Sequence, residues 1–123
     1  MDITDKEVES LKFMLKSLRN RIPDERNAHR HFYLTFSVVR RLIRIFVEKD
    51  NKKAEEILAE LLNHENEGIQ FLALCALLDA QNREIDLTPE THIKMLQFKN
   101  NPVNQRIWDL VFANLKADKA PFN

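Results

Sequence analysis

A line of arginines around one tyrosine is the set of residues in this sequence best suited to binding. At about 100° per residue, one face of a helix predicted over 24–49 carries Arg26, Arg30, Tyr33, Arg40, Arg41 and Arg44. The planar guanidinium group pairs bidentately with carboxylate or phosphate and stacks on bases. An exposed tyrosine between arginines also suits a stacked base. The spacing therefore predicts a surface for an anionic partner, which is an acidic protein surface, RNA or DNA.

A purely structural interpretation of the same arginines stays open. Most other residues from 28 to 47 are apolar, which predicts a mostly buried helix with one solvated edge. Residues 11–47 carry nine bases and two acids, whereas residues 48–90 carry four bases and eleven acids. The arginines are thus expected either to pair internally with the acidic 48–90 segment or to remain available for a partner.

A second candidate surface lies on the helix predicted over 102–117. Its apolar residues form two lines, and the second line consists of Trp108, Phe112 and Leu115. Such residues pack in a core, but tryptophan is also a favoured anchor in protein interfaces. The two interpretations are core packing and a protein contact, including a homodimer through this last predicted helix.

Other chemistry is not supported by the residue types. Glu25/His29 and Glu60/His64 each have the i, i+4 spacing of metal ligands, but neither pair has a second ligand set beside it. Cys75 lies in a wholly apolar stretch, where burial makes a thiol unreactive. One glycine in 123 residues leaves no phosphate-binding loop. We therefore expect no metal, no cofactor and no enzymatic activity.

The elements that carry these residues are predicted to be helices. The composition is 44% hydrophobic and 31% charged with a single glycine, which disfavours the turn-rich chains of β-sandwiches and barrels. We predict one all-α domain over 1–123, with about six helices in antiparallel hairpins. Apolar periodicity and Asx or Thr-Pro capping signals place the helices at 4–22, 24–49, 52–64, 67–81, 89–99 and 102–117.

Two of these helices have contrasting apolar patterns. Helix three carries an apolar stripe with Glu55, Glu56 and Glu60 on the opposite side, so these glutamates are expected to face solvent. Helix four is apolar on every side between Ile69 and Leu78, which predicts a buried central helix.

Helices three to six contain a weak internal repeat. A shift of 36 residues pairs Phe71 with Ile107 and Leu74 with Leu110, but it fails at other positions. The segments 63–78 and 100–115, each a polar turn followed by an apolar helix, resemble HEAT-like helical repeats. This family places an arginine directly after a β-branched residue of the turn; here Val103 stands three positions before Arg106 instead of next to it. In the first copy Gln70 stands where the arginine is expected after Ile69. The resemblance implies a binding scaffold without chemistry of its own, and an irregular six-helix bundle remains the alternative.

The sequence therefore predicts a non-enzymatic protein-interaction module. The alternative is a small nucleic-acid-binding subunit that uses the same arginines, although a formal net charge of zero disfavours general affinity for nucleic acid. The acidic start, one cysteine and the absence of an uninterrupted apolar span predict a cytoplasmic protein with no membrane segment.

Overall fold

The computed structural model describes residues 3–21 and 24–116, the last of these by its backbone alone. In these ranges the chain forms six α-helices and no strand, so the predicted all-α class is confirmed. The helices are α1 (Ile3–Arg19), α2 (Ala28–Lys49), α3 (Lys52–Glu60), α4 (Glu67–Asn82), α5 (Pro89–Asn100) and α6 (Gln105–Lys116). None of them, as far as the chain is described, has the length and apolar character needed to cross a membrane.

Side-chain caps set the starts of α3, α4 and α5 at the predicted residues. The side-chain oxygen of Asn51 accepts a hydrogen bond from the Ala54 N–H at 2.9 Å. Asn66 caps α4 in the same way, accepting from Gly68 at 2.8 Å. Thr88 caps α5 and is followed by a proline at the first helical position. These caps satisfy amide groups that have no partner within the helix.

Helix α2 begins at Ala28 and not at residue 24 as predicted. The carboxylate of Asp24 accepts from the Asn27 N–H at 3.0 Å, and the Asp24 carbonyl accepts from the same group at 3.1 Å. Residues 24–27 therefore form a turn before the helix. Arg26 lies in this turn, so its predicted place on the helical face is wrong.

Three other boundaries differ from the prediction by more than one residue. The segment expected to complete helix three, Leu61–Asn63, is a tighter 3-10 turn. A second 3-10 turn, Pro102–Asn104, occupies the predicted start of helix six. Helix α1 ends at Arg19, while the predicted ends at residues 22 and 117 lie outside the described residues.

The helices are arranged in two layers. Helix α3 packs between α1 and α5, whereas α4 packs between α2 and α6. Within the second layer the helices run parallel, because Glu67 at the start of α4 pairs with Arg106 at the start of α6, and Phe32 near the start of α2 lies beside Gly68 of α4. Helices α1 and α2 run antiparallel, because Lys49 at the end of α2 donates to Thr4 at the start of α1 at 3.3 Å. The result is a stack in which consecutive helices alternate between the two layers.

Helix α4 lies at the centre of the core. Its neighbours α2, α3 and α6 surround it. Burying one Leu or Ile side chain stabilises a fold by roughly 1.5–3 kcal/mol. The expected burial of α4 is confirmed by nine buried residues, namely Ile69, Leu72, Ala73, Leu74, Cys75, Ala76, Leu77, Leu78 and Ala80.

The expectation that Glu55 faces solvent is wrong, because its side chain is fully buried. Its carboxylate accepts from the Thr91 hydroxyl at 2.6 Å and from the Thr88 N–H at 3.0 Å, both at the start of α5. Lys52 Nζ completes the set at 3.1 Å. Burial alone raises the pKa of Glu55, but these hydrogen bonds outweigh it and hold the pKa below the usual value. Glu55 therefore joins α3 to the positive end of α5.

We expect Glu55→Gln to lower the free energy of unfolding by about 2 kcal/mol at pH 7, because it removes a charged acceptor from three donors. A carboxyl whose pKa is lowered on folding stabilises above its unfolded value and loses this effect as the pH falls. The difference between the two proteins should therefore shrink below about pH 4. Urea unfolding followed by circular dichroism, at pH 7 and again below about pH 4, measures this difference in the free energy of unfolding.

Glu56→Gln is the matched control, since Glu56 is the next residue and is exposed. We expect it to change the stability by less than about 0.5 kcal/mol. Equal losses from the two substitutions would contradict the role of Glu55.

Candidate functional site

The six predicted residues, five arginines and Tyr33, lie on the solvent side of the molecule. Arg26 is exposed in the turn before α2, and the other five are exposed on α2 itself. The opposite side of the helix inserts Val39, Leu42 and Phe46 into the core, each with no solvent exposure. We call the six predicted residues the arginine face, comprising Arg26, Arg30, Tyr33, Arg40, Arg41 and Arg44.

The expected burial of the remaining residues of α2 is wrong near its start. Phe32 is 36% exposed and Leu34 is 48% exposed. Phe32 lies beside Gly68 at the start of α4, which has no side chain to pack against the ring. The arginine face is therefore flanked at this end by apolar side chains that reach solvent.

Carboxylates hold two arginines of this face. Arg41 donates to both oxygens of Glu7 on α1, at 2.6 and 3.0 Å. This pairing raises the pKa of Arg41 and lowers that of Glu7. Arg44 lies 3.8 Å from Glu48, one turn further along the same helix. Both pairs are exposed, and such pairs contribute at most about 1 kcal/mol.

The other three arginines have no carboxylate within 4.0 Å in the described part of the chain. Arg26 and Arg30 are exposed there without an ion pair, and Arg40 lies 5.7 Å from the centre of the Phe36 ring. Among the described residues of the acidic 48–90 segment, Glu48 alone forms an ion pair with the arginine face. Other carboxylates of that segment pair elsewhere, as Glu65 does with Arg19 and Glu67 with Arg106.

A pocket of about 510 Å³ lies at the second half of the arginine face. Arg40, Arg41 and Arg44 line it together with Arg83, which follows α4. Ile43 and Val47 contribute apolar surface to the same pocket. We call it the arginine pocket. It forms because α2 and α4 run parallel, which brings their carboxyl-terminal ends together.

Arg83 was not among the predicted binding residues, since it lies beyond the helix predicted over 67–81. It contacts Asp79, one turn earlier, with its Nε 3.1 Å from a carboxylate oxygen. The only local signal is this i, i+4 spacing of opposite charges. No sequence pattern connects Arg83 with Arg40, because the packing of two helices joins them.

The second candidate surface is divided between core and solvent. Trp108 and Leu115 are partly buried and pack against the core, whereas Phe112 is 40% exposed. The rings of Trp108 and Phe112 lie 5.1 Å apart, and Lys99 Nζ lies 5.5 Å from the Trp108 ring. A homodimer through this helix stays a prediction.

The described residues contain no group of three or more metal-ligand side chains. Cys75 is fully buried in α4, and burial raises the pKa of its thiol to about 12. Comparison with protein-family models, curated proteins and solved structures found no match to this chain.

The Cys75 thiol should react with Ellman's reagent only when the chain unfolds. In the fold the reagent cannot reach the buried sulfur, and the thiol stays protonated. We expect the labelling rate at pH 8 to rise with urea along the same transition as the loss of helical circular dichroism. Rapid labelling of the folded protein would contradict the burial of α4.

Proposed function

We propose that this chain is a non-enzymatic protein-interaction module that binds an acidic segment of a partner protein along the arginine face. The observation that carries the proposal is the exposure of Arg26, Arg30 and Arg40 without a carboxylate in the described chain. Guanidinium groups that lack an internal partner are available for charged hydrogen bonds to another molecule.

The surroundings of these arginines favour a protein segment over a simple polyanion. Phe32, Tyr33 and Leu34 place exposed apolar surface beside Arg30. An amphipathic acidic segment satisfies both features, since its carboxylates pair with arginine while its apolar side chains cover the aromatic rings. Charge complementarity of this kind increases the association rate and the selectivity for one partner.

The layered stack supports the proposal of a HEAT-like scaffold. Parallel helices within each layer and antiparallel helices within each hairpin are what stacked helical repeats require. In such a stack each hairpin contacts its neighbours, and the exposed helices form an extended surface. The first hairpin, α1 with α2, presents the arginine face in this arrangement.

Nucleic-acid binding is the second candidate. The observation that favours it is Tyr33, which is 63% exposed and lies one turn from Arg30. A base stacks readily on such a ring. The carboxylates of Glu7 and Glu48 lie beside Arg41 and Arg44, however, and they repel a continuous phosphate backbone. An acidic protein segment, with charges at intervals, avoids these positions.

A cytoplasmic location is part of the same proposal. Cys75 is a free, buried thiol, and it has no disulfide partner because it is the only cysteine in the sequence. An unpaired thiol is typical of proteins in reducing compartments.

We expect a fluorescein-labelled peptide of alternating glutamate and leucine to bind the protein at low salt. Arg26→Glu/Arg30→Glu should weaken this binding by about tenfold or more, equivalent to about 1.4 kcal/mol, because it replaces attraction by repulsion. Fluorescence anisotropy at two salt concentrations measures the affinity, with single- and double-stranded oligonucleotides as competing probes.

Lys6→Glu/Lys12→Glu makes the same charge change on the exposed side of α1 and serves as the control. At a salt concentration of about 0.1 M it should leave the peptide affinity within about twofold of the original, since neither lysine belongs to the arginine face and exposed charges are largely screened over about 10 Å. Equal weakening by both double variants would contradict the proposal. Tighter binding of oligonucleotides, with a log–log salt slope near −0.9 per duplex phosphate, would favour the second candidate.

A further inference from the structure

The arginine pocket differs from the rest of the arginine face in its shape and in the origin of its residues. Four arginines, three from α2 and one that directly follows α4, line one concave site together with the single carboxylate residue Glu48. Elsewhere on the face, Arg26 and Arg30 lie on open surface. A concave site with several arginines recognises a compact anionic group better than an extended one.

The ion pairs of the pocket leave donor groups unused. Arg83 approaches Asp79 through Nε, and Arg44 approaches Glu48 through Nε at the longer distance of 3.8 Å. Arg41 uses Nε and Nη2 for Glu7. A guanidinium group has five N–H donors, so each of these arginines keeps terminal donors beyond its carboxylate contact.

The same carboxylates order the arginine side chains before any ligand binds. A long side chain loses about 1–2 kcal/mol of conformational entropy when it is immobilised. Arg41, held by two hydrogen bonds to Glu7, has already lost part of this freedom, and Arg83 lies 3.1 Å from a buried carboxylate oxygen of Asp79 in an ion pair. Arg40 has no such contact among the described residues and provides the least compensated charge of the four.

We propose that the arginine pocket binds a phosphate monoester, namely the phosphorylated serine or threonine of a partner protein. The inference rests on the proposed function, because it specifies one group within the acidic segment. A phosphoryl group carries about −1.5 to −2 charges at pH 7 and has three acceptor oxygens, so it engages several arginines at once. A single carboxylate is satisfied by one bidentate arginine.

The surrounding charge separates a phosphopeptide from a nucleic acid. Glu7, Glu48 and Asp79 each contact one arginine of the pocket, so the excess of positive charge is small and local. A single dianionic group is enough to neutralise this positive charge. The evenly spaced phosphates of a nucleic acid place further negative charges near the same three carboxylates.

The test compares one acidic peptide in two forms, with its central serine phosphorylated or unmodified. We expect phosphorylation to tighten binding by about tenfold. Arg83→Gln should reduce this preference to within about twofold while the unmodified peptide binds as before, because Arg83 lies outside the arginine face. Inorganic phosphate should remove the preference without displacing the unmodified peptide.

Arg40→Gln provides a second test. Arg40 forms no ion pair with a carboxylate of the described chain, so we expect this variant to fold normally. It should also reduce the preference for the phosphorylated form. Arg30→Gln, outside the pocket, should weaken both peptides alike, and Lys12→Gln on α1 should change neither affinity. Circular dichroism establishes that each variant is folded.

The outcomes separate the two proposals. Equal affinity for both peptide forms, or a preference that survives Arg83→Gln and Arg40→Gln, overturns the phosphate site and leaves the acidic-segment proposal in place. If only the phosphorylated peptide binds, and its binding requires the pocket arginines, the phosphate site is supported. The proposal that the whole arginine face binds an acidic segment is then overturned. An oligonucleotide that binds the pocket more tightly than the phosphopeptide overturns the assignment to a phosphoprotein.

Discussion

The apolar character of α4 on all its sides constrains the rest of this fold. A helix without a polar side is stable in water only when other helices enclose it. Here α2 and α6 lie beside it in one layer, and α3 covers it from the other. Each enclosing helix must turn its apolar side toward α4, so its charged side is left for solvent. The position of the arginine face on α2 is a consequence of this enclosure.

Polar contacts fix how the helices align along the stack. The buried Glu55 joins the starts of α3 and α5, and exposed ion pairs such as Glu67 with Arg106 join α4 to α6. The two kinds of contact differ in weight, because a buried carboxylate left without its donors costs far more than an exposed ion pair gains. Glu55 is therefore the polar residue that specifies the packing most strongly, while the surface pairs add orientation.

The fold and the candidate site were predictable to different degrees. Periodicity and capping signals identify all six helices and the burial of α4, because these features depend on residues close in sequence. Glu55 was wrongly assigned to solvent, since its partners at the start of α5 lie more than 30 residues away. Arg83 was missed for the same reason. The exposure of Phe32 was also unpredictable locally, because it depends on how far the neighbouring helix α4 covers the ring.

The most direct measurement of whether the arginine face is an available binding surface is phenylglyoxal modification of arginines, followed by mass spectrometry. We expect Arg26, Arg30 and Arg40 to react faster than Arg41, whose guanidinium group is held by Glu7. Addition of an acidic peptide should protect the first three and leave Arg106 on α6 unprotected. Slow modification of Arg26, Arg30 and Arg40, or equal protection of Arg106, would contradict the account.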